Sequence, residues 1–369
     1  MGMLIIAVLM GACAAGLILF RRNTIPVDLQ DHPPQQRKQQ KLSVIIPARN
    51  EEGNLPHLLR SLRAQTIEEI EIIVVDDHSE DQTRAIAESY GVKVIASPEL
   101  PLGWTGKNWA VWNGYLQSTG ELIAFLDADV RLAPDALQAL IAAREQVGGT
   151  ISVVPYHQAE KLYEKLALIP NLLGLFAFTS PMERTNATKG LYGSCILTTR
   201  MLYDKVQGHE GIKGELLDDL NLGAKFMEAG IPVVNYIGYD KVSFRMYPGG
   251  IRSEIEGFSK GAVLSTSKLS LRTTLLVAVW LIGLIVVEAT PFFLGTSWGM
   301  PLTIGYVLYT VQIYYLVHYT GRFGKWLPAV HFLSTVFFLM IMLYSLYQVV
   351  FFGRVAWKGR SIDVGARRK

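Results

Sequence analysis

The chain has 369 residues, a formal charge of +3 and only 18% charged residues. That length suits one domain of ordinary size plus extra segments. So small a charge says nothing about nucleic acid. Hydrophobic residues make up 50% and mean hydropathy is +0.25, high for a soluble protein. The excess lies in the first twenty residues and the last hundred. The two cysteines, Cys13 and Cys195, fall in different segments. No disulfide framework follows, and a reducing compartment is expected.

Residues 3–20 are apolar and Arg21-Arg22 follows them. A cleaved signal peptide carries its positive charge ahead of the apolar run, so an uncleaved anchor over 1–22 is expected. The positive-inside rule then puts the next domain in the cytoplasm. Residues 23–40, with Pro33-Pro34 and several Gln and Lys, read as a linker.

From residue 42 strand and helix patterns alternate. Strands are predicted over 42–46, 71–75, 92–96 and 121–126. Helices are predicted over 51–65, 81–90, 107–117 and 134–145. This rhythm predicts an α/β domain over 41–265 with a parallel or mixed sheet flanked by helices. Three further apolar runs, 273–294, 301–318 and 327–352, predict a transmembrane region over 270–353, followed by a basic tail over 354–369. Glu288 lies inside the first run. Three crossings would strand the basic tail outside, so one segment is expected to be re-entrant or interfacial.

The chemistry concentrates at strand ends. Pro47 is expected to end the first strand, and the turn through Arg49 and Glu51 can hold a nucleotide or be simply solvated. Asp76-Asp77-His78-Ser79 follows the second strand. One carboxylate there can accept a pyrimidine N–H, or Asp77 and Ser79 can cap the next helix. Asp127-Ala128-Asp129 follows the fourth strand. On an extended backbone its carboxylates point the same way and suit Mg²⁺ or Mn²⁺, which take oxygen ligands and substrate phosphates. Asp218-Asp219 opens a helix running to Ala229. Acids in a first turn commonly answer the helix dipole, and one could deprotonate an acceptor. His57, His78, His157 and His209 show no metal spacing. His78 and His157 are candidates for the cleft, and ordinary polar roles serve equally.

The stretches Val44-Ile45-Ile46-Pro47-Ala48-Arg49-Asn50-Glu51-Glu52, Val75-Asp76-Asp77-His78-Ser79, Phe125-Leu126-Asp127-Ala128-Asp129 and Asp218-Asp219-Leu220-Asn221-Leu222 resemble family 2 glycosyltransferases of the GT-A fold. Trp104-Thr105-Gly106-Lys107 and Trp357-Lys358-Gly359-Arg360 are similar to that family's membrane-bound members. Ser152-Val153-Val154-Pro155-Tyr156-His157, Phe244-Arg245-Met246-Tyr247 and Glu256-Gly257-Phe258-Ser259-Lys260-Gly261 resemble the bacterial carotenoid-acid glycosyltransferases of staphyloxanthin-type pathways. Hopanoid-associated glycosyltransferases are similar too.

The resemblance implies a UDP-sugar donor, Mg²⁺ or Mn²⁺, an apolar lipid acceptor and the membrane bilayer as partners, with no nucleic acid. It implies Asp77 at the base with Asp76 beside it, Asp127 and Asp129 at ribose and metal, Lys107 near the nucleotide, and Asp219 beside Asp218 as catalytic base. No Gln-x-x-Arg-Trp motif follows residue 240; Arg252 and Lys260 occupy that region and could hold the diphosphate. Single transfer rather than polymerisation is implied. A carotenoid acid is already ionised and needs little from a base, whereas a hydroxyl lipid needs one. The competing readings are a hopanoid or glycerolipid hydroxyl acceptor, a nucleotide-binding scaffold without turnover, and a transporter.

Overall fold

The structure, a computed structural model, describes residues 2–26, 40–67, 69–215, 217–262, 268–352, 354–357 and 360–363. Most of the expected linker and part of the basic tail lie outside these residues. The chain divides into two compact units. One comprises Asn23–Tyr156 and Ala187–Arg245; the other comprises Met1–Arg22, His157–Asn186 and Met246–Lys369.

The first unit is built on strands β1 (Leu42–Ala48), β2 (Ile70–Asp76), β3 (Lys93–Ala96), β4 (Leu122–Leu126), β5 (Val130–Leu132), β6 (Thr150–Val154), β7 (Tyr156–His157), β8 (Cys195–Thr199), β9 (Val233–Ile237) and β10 (Val242–Phe244). Seven of them form one sheet in the order β3-β2-β1-β4-β8-β6-β9. β1, β2, β3 and β4 run parallel, and β8 runs antiparallel to both β4 and β6, so the sheet is mixed. β4 reads as an unbroken apolar run, and β1 is apolar but for Ser43, because both faces of the sheet are covered. The helix Gly106–Leu116 packs Ala110, Val111 and Tyr115 against Ile45, Ile73 and Val75 in one apolar cluster.

Pro47 does not end β1: the strand continues to Ala48, and Pro47 pairs with Val75. The Ala48 carbonyl accepts Asp77 N–H at 2.8 Å on the β2 side. Pro47, one residue earlier, therefore faces the β4 side, where pairing stops at Ile45. Its missing N–H breaks no ladder bond there.

In the second unit, three helices among the described residues are long and apolar enough to cross a membrane: Gly2–Leu19, Leu271–Glu288 and Gly299–Thr320. They pack on one another through Leu9, Cys13, Trp280, Leu284, Tyr309 and Ile313. Gln312 ties the three together. It accepts Trp280 Nε1–H at 2.7 Å and donates to the Cys13 carbonyl at 2.7 Å. The helix Leu168–Thr179 carries Pro170 in its first turn, where no helical N–H bond is lost. It buries Leu168, Ile169, Leu172 and Phe176 in the same cluster.

The last expected span, 327–352, is a 3₁₀ turn over Leu327–Val330, the helix Phe332–Tyr347 and a π-helical turn over Gln348–Phe352 that continues it. Glu288 is the last residue of its helix. Its Oε1 accepts Thr335 Oγ1–H at 2.6 Å and lies 2.7 Å from His331 Nδ1.

Candidate active site

The carboxyl ends of β1, β2 and β4 lie side by side, where open α/β sheets bind ligands. After β1 and β2 the chain makes two interlocked turns. Asn50 N–H donates to Ser79 Oγ at 3.1 Å, Glu80 N–H to Asn50 Oδ1 at 2.8 Å, and Glu51 N–H to Thr83 Oγ1 at 2.7 Å. Asn50 (φ 53°) and His78 (φ 55°) are both left-handed, as such tight reversals require. Asp76 Oδ1 accepts Ser79 N–H at 3.2 Å, and the Arg49 guanidinium reaches the Asp77 carbonyl at 3.3 Å and its carboxylate at 3.8 Å. Glu51 accepts the Asn54 amide at 2.9 Å. Asp76 and Asp77 are buried against the sheet, while His78 is exposed.

β4 delivers Asp127. The motif is not extended: Ala128 and Asp129 form a turn closed by Val130 N–H on the Asp127 carbonyl at 3.2 Å. Short β5 starts at Val130 and pulls the backbone aside. The expected alternation survives in burial only, since Ala128 is buried and both aspartates are part-exposed. Asp127 N–H donates to the Ser194 carbonyl at 3.0 Å, which sets Gly193 beside it.

Lys107 comes from the first turn of the helix Gly106–Leu116, and Asp218 from the first turn of the helix Asp218–Glu228. Asn108 staples the two starts together. Its amide donates to the carbonyls of Ile212, Lys213 and Glu215 at 3.0, 3.2 and 3.2 Å. Lys107 Nζ consequently lies 2.9 Å from Asp127 Oδ1 and 3.9 Å from Asp218 Oδ2. Burial alone would lower the lysine pKa. Asp127, Asp218 and Asp219 overcome it and raise the pKa well above the ordinary lysine value.

Asp219 is held through both oxygens, accepting Gly193 N–H at 3.0 Å and Leu220 N–H at 2.9 Å. Pro47, Lys107, Asp127, Asp218 and Asp219 line one pocket together with Val111, Phe125, Leu126, Gly193, Ile196 and His209. Arg252 and Lys260 belong to the other unit, on the helix Ile251–Ala262. Arg252 pairs with Glu256 at 3.2 Å and is otherwise solvated, and the Lys260 side chain lies outside what is described.

Sequence reasoning missed Gly193 and His209 as pocket residues. Neither stands in a motif: Gly193 matters through its backbone N–H, and His209 arrives from a loop.

Among the described residues no three His, Cys, Asp or Glu side chains converge into a ready-made cation cage. The part-exposed pair Asp127 and Asp129 still fits Mg²⁺ or Mn²⁺. Mg²⁺ sites commonly use one or two carboxylates and take their remaining ligands from substrate phosphates and water.

Residues 43–207 match the family model described as glycosyl transferase family 2. The chain is 34% identical over 336 residues to the 4,4'-diaponeurosporenoate glycosyltransferase of Staphylococcus aureus (strain MRSA252), covering 88% of each chain. It is 33% identical to the enzyme of that name from Staphylococcus haemolyticus (strain JCSC1435), covering 88% of this chain and 89% of the relative. Among solved structures, it is similar in fold to the mannosyltransferase PcManGT from Pyrobaculum calidifontis in complex with GDP-Man and Mn²⁺. The TM-score is 0.55 at 15% identity, covering 94% of this chain and 98% of the other. The mixed sheet with acidic strand ends is thus a GT-A glycosyltransferase fold, and the chain belongs to glycosyl transferase family 2.

Proposed function

We propose that this glycosyltransferase moves a hexose, glucose in the first instance, from a UDP-sugar to an apolar carotenoid acid of the diaponeurosporenoate type. The transfer is single and inverts the anomeric centre. The observation that carries the reading is the meeting of Asp127, Lys107, Asp218 and Asp219 at one sheet edge. The relatives' name supports the acceptor.

The acceptor carboxylate oxygen attacks the anomeric carbon while the bond from that carbon to the diphosphate oxygen breaks. The electron pair leaves with UDP, and a glycosyl ester forms. No proton has to be removed from an ionised carboxylate, so Asp219, held in place by two backbone N–H groups, is not required as a base. Asp219 then orients the acceptor and the sugar. A bound divalent cation, held by Asp127 and Asp129, would offset charge on the leaving diphosphate. Arg49 and Asp77 would meet the base, with Asp76 fixing their turn.

The apolar helices support a multi-pass membrane protein, and Arg21-Arg22 after the first helix supports a cytoplasmic catalytic unit. The test is transfer of label from UDP-glucose in purified membranes, with Mg²⁺ or Mn²⁺ and a panel of carotenoid acids, hopanoids and diacylglycerol. A labelled carotenoid ester that disappears with EDTA supports the reading. Label only on a hydroxyl lipid would make Asp219 a base and replace the acceptor.

A further inference from the structure

We infer that His209 is a sugar-recognition residue, its Nε2–H donating to a hydroxyl of the transferred sugar in the pocket it shares with Lys107 and Asp218. This rests on the donor-site reading above. His209 is buried and lines the pocket. The Tyr203 hydroxyl accepts His209 backbone N–H at 3.0 Å, so its own proton points to His209 Nδ1, 2.6 Å away. Nδ1 is therefore an acceptor, and the neutral ring carries its proton on Nε2. Burial, with Lys107 nearby, pulls the His209 pKa down to about 4 although Asp218 opposes it. The ring stays neutral at working pH.

The backbone is shaped for this placement. Gln207 (φ 59°) and Gly208 (φ 43°) are consecutive left-handed residues, and a Cβ on Gly208 would lie 2.2 Å from the Tyr203 ring. Strain of this kind persists where surrounding structure enforces it, and it concentrates at ligand sites. The pocket's charge selects the ligand group. Three carboxylates and one ammonium line it, so hydrogen-bond acceptors are in excess there. Hydroxyls fit, donating to carboxylates and accepting from Lys107 and His209.

The test exploits the two ring nitrogens. Asn places its amide near Nδ1, and Gln places its amide near Nε2. Donor KM and kcat would be measured for wild type, His209→Gln, His209→Asn and His209→Phe, with the natural sugar nucleotide and its single-deoxy analogues. We expect His209→Gln to keep most activity and His209→Phe to lose about tenfold, the worth of one hydrogen bond. For one deoxy position, wild type should discriminate and His209→Phe should not. If His209→Asn outperforms His209→Gln, and every variant keeps wild-type discrimination, the histidine only props Tyr203 and the inference is overturned. Failure of wild type with every sugar nucleotide would instead sink the donor reading, and with it the hydroxyl ligand.

A second observation stands apart from the donor site. We infer that residues 321–352 are a re-entrant hairpin, entering and leaving the bilayer on one face. Phe20 packs on Tyr315 and Tyr319, and Arg22 lies over Tyr319 at 5.8 Å. The end of the helix Gly299–Thr320 is thus level with Arg21-Arg22. The chain then runs back along that helix. Tyr314 OH donates to the Lys325 carbonyl at 2.5 Å and Tyr306 OH to the Ala329 carbonyl at 2.8 Å, and the Tyr306 ring stacks on His331. From Tyr314 to Tyr306 is about 12 Å of helix.

At the apex His331, fully buried, meets Glu288 at 2.7 Å. The helix Phe332–Tyr347 is about 24 Å long and continues as a π-helical turn over Gln348–Phe352. Towards its end Ser345 Oγ–H donates to the Ser259 carbonyl at 2.7 Å, on the helix Ile251–Ala262. The hairpin removes one crossing from the sequence-level count and returns the basic tail to the side of Arg21-Arg22.

The test uses full-length protein in cells, since both native cysteines are buried. Thr296→Cys and Lys325→Cys would be labelled with an impermeant maleimide, and a topology reporter fused after Lys369. A reporter on the Lys325 side and opposite Thr296 supports the hairpin. A reporter opposite Lys325 means that the segment spans, and overturns it.

Discussion

Lys107 Nζ lies 2.9 Å from Asp127 Oδ1, so an ammonium from one helix start closes on the carboxylate at the end of β4. Asp218 Oδ2, at 3.9 Å, shares the same charge. Lys107→Met would leave three carboxylates facing each other. The side chains keep about a quarter of their exposure, so the loss should fall below the 3–5 kcal/mol of a fully buried pair, at about 1–3 kcal/mol. The folded pKa is raised, so the stabilisation is complete below the unfolded lysine value of about 10.4 and fades only above it. Urea melts at pH 7 should show the deficit, and added Mn²⁺ should recover part of it. An unchanged midpoint would remove Lys107 as the counter-charge.

Asp129→Asn should nearly abolish transfer while leaving the fold intact, because both motif aspartates are part-exposed and only Ala128 is fully buried. Activity lost to EDTA should return with Mn²⁺ or Mg²⁺ in wild type and not in the variant. Wild-type turnover by Asp129→Asn would remove the cation assignment.

The sheet and the acidic strand ends could be read from the sequence because strand composition and strand-end carboxylates are local signals. Pro47 misled, since a missing N–H ends a strand only when a neighbour needs it, and β4 has stopped two residues earlier. The turn at Ala128-Asp129 was hidden because β5 forms only by pairing with β10, over a hundred residues away. His209 was invisible for a similar reason: its ring is set by Tyr203 and its pocket by Lys107 and Asp218, none of them in a shared motif.

Gly193 sets Asp219. Its N–H donates to Asp219 Oδ2, and a Cβ there would lie 2.8 Å from that oxygen. Gly193→Ala should therefore displace the carboxylate and lower kcat at least about tenfold, with a small change in donor KM. Asp219→Asn separates orientation from proton removal. With a carboxylate acceptor the loss should be modest, and with an alcohol acceptor severe. Equal, severe loss on both would assign Asp219 an electrostatic role in the transition state instead.

Glu254 gives a pH dependence outside the donor pocket. It is buried on the helix Ile251–Ala262, and neither carboxyl oxygen has a hydrogen-bond partner. Burial, with the Glu164 carboxylate nearby, pushes its pKa up to about 8. The unfolded chain releases this proton near pH 4.3. Between the two values the folded state binds the extra proton, so stability falls as pH rises from about 4.3 to about 8 and then levels. Glu254→Gln keeps the shape and removes the proton. It should flatten the stability profile between pH 5 and 8 and raise the melting temperature most at the alkaline end. Parallel profiles for variant and wild type would mean that Glu254 ionises as freely in the fold as in the open chain.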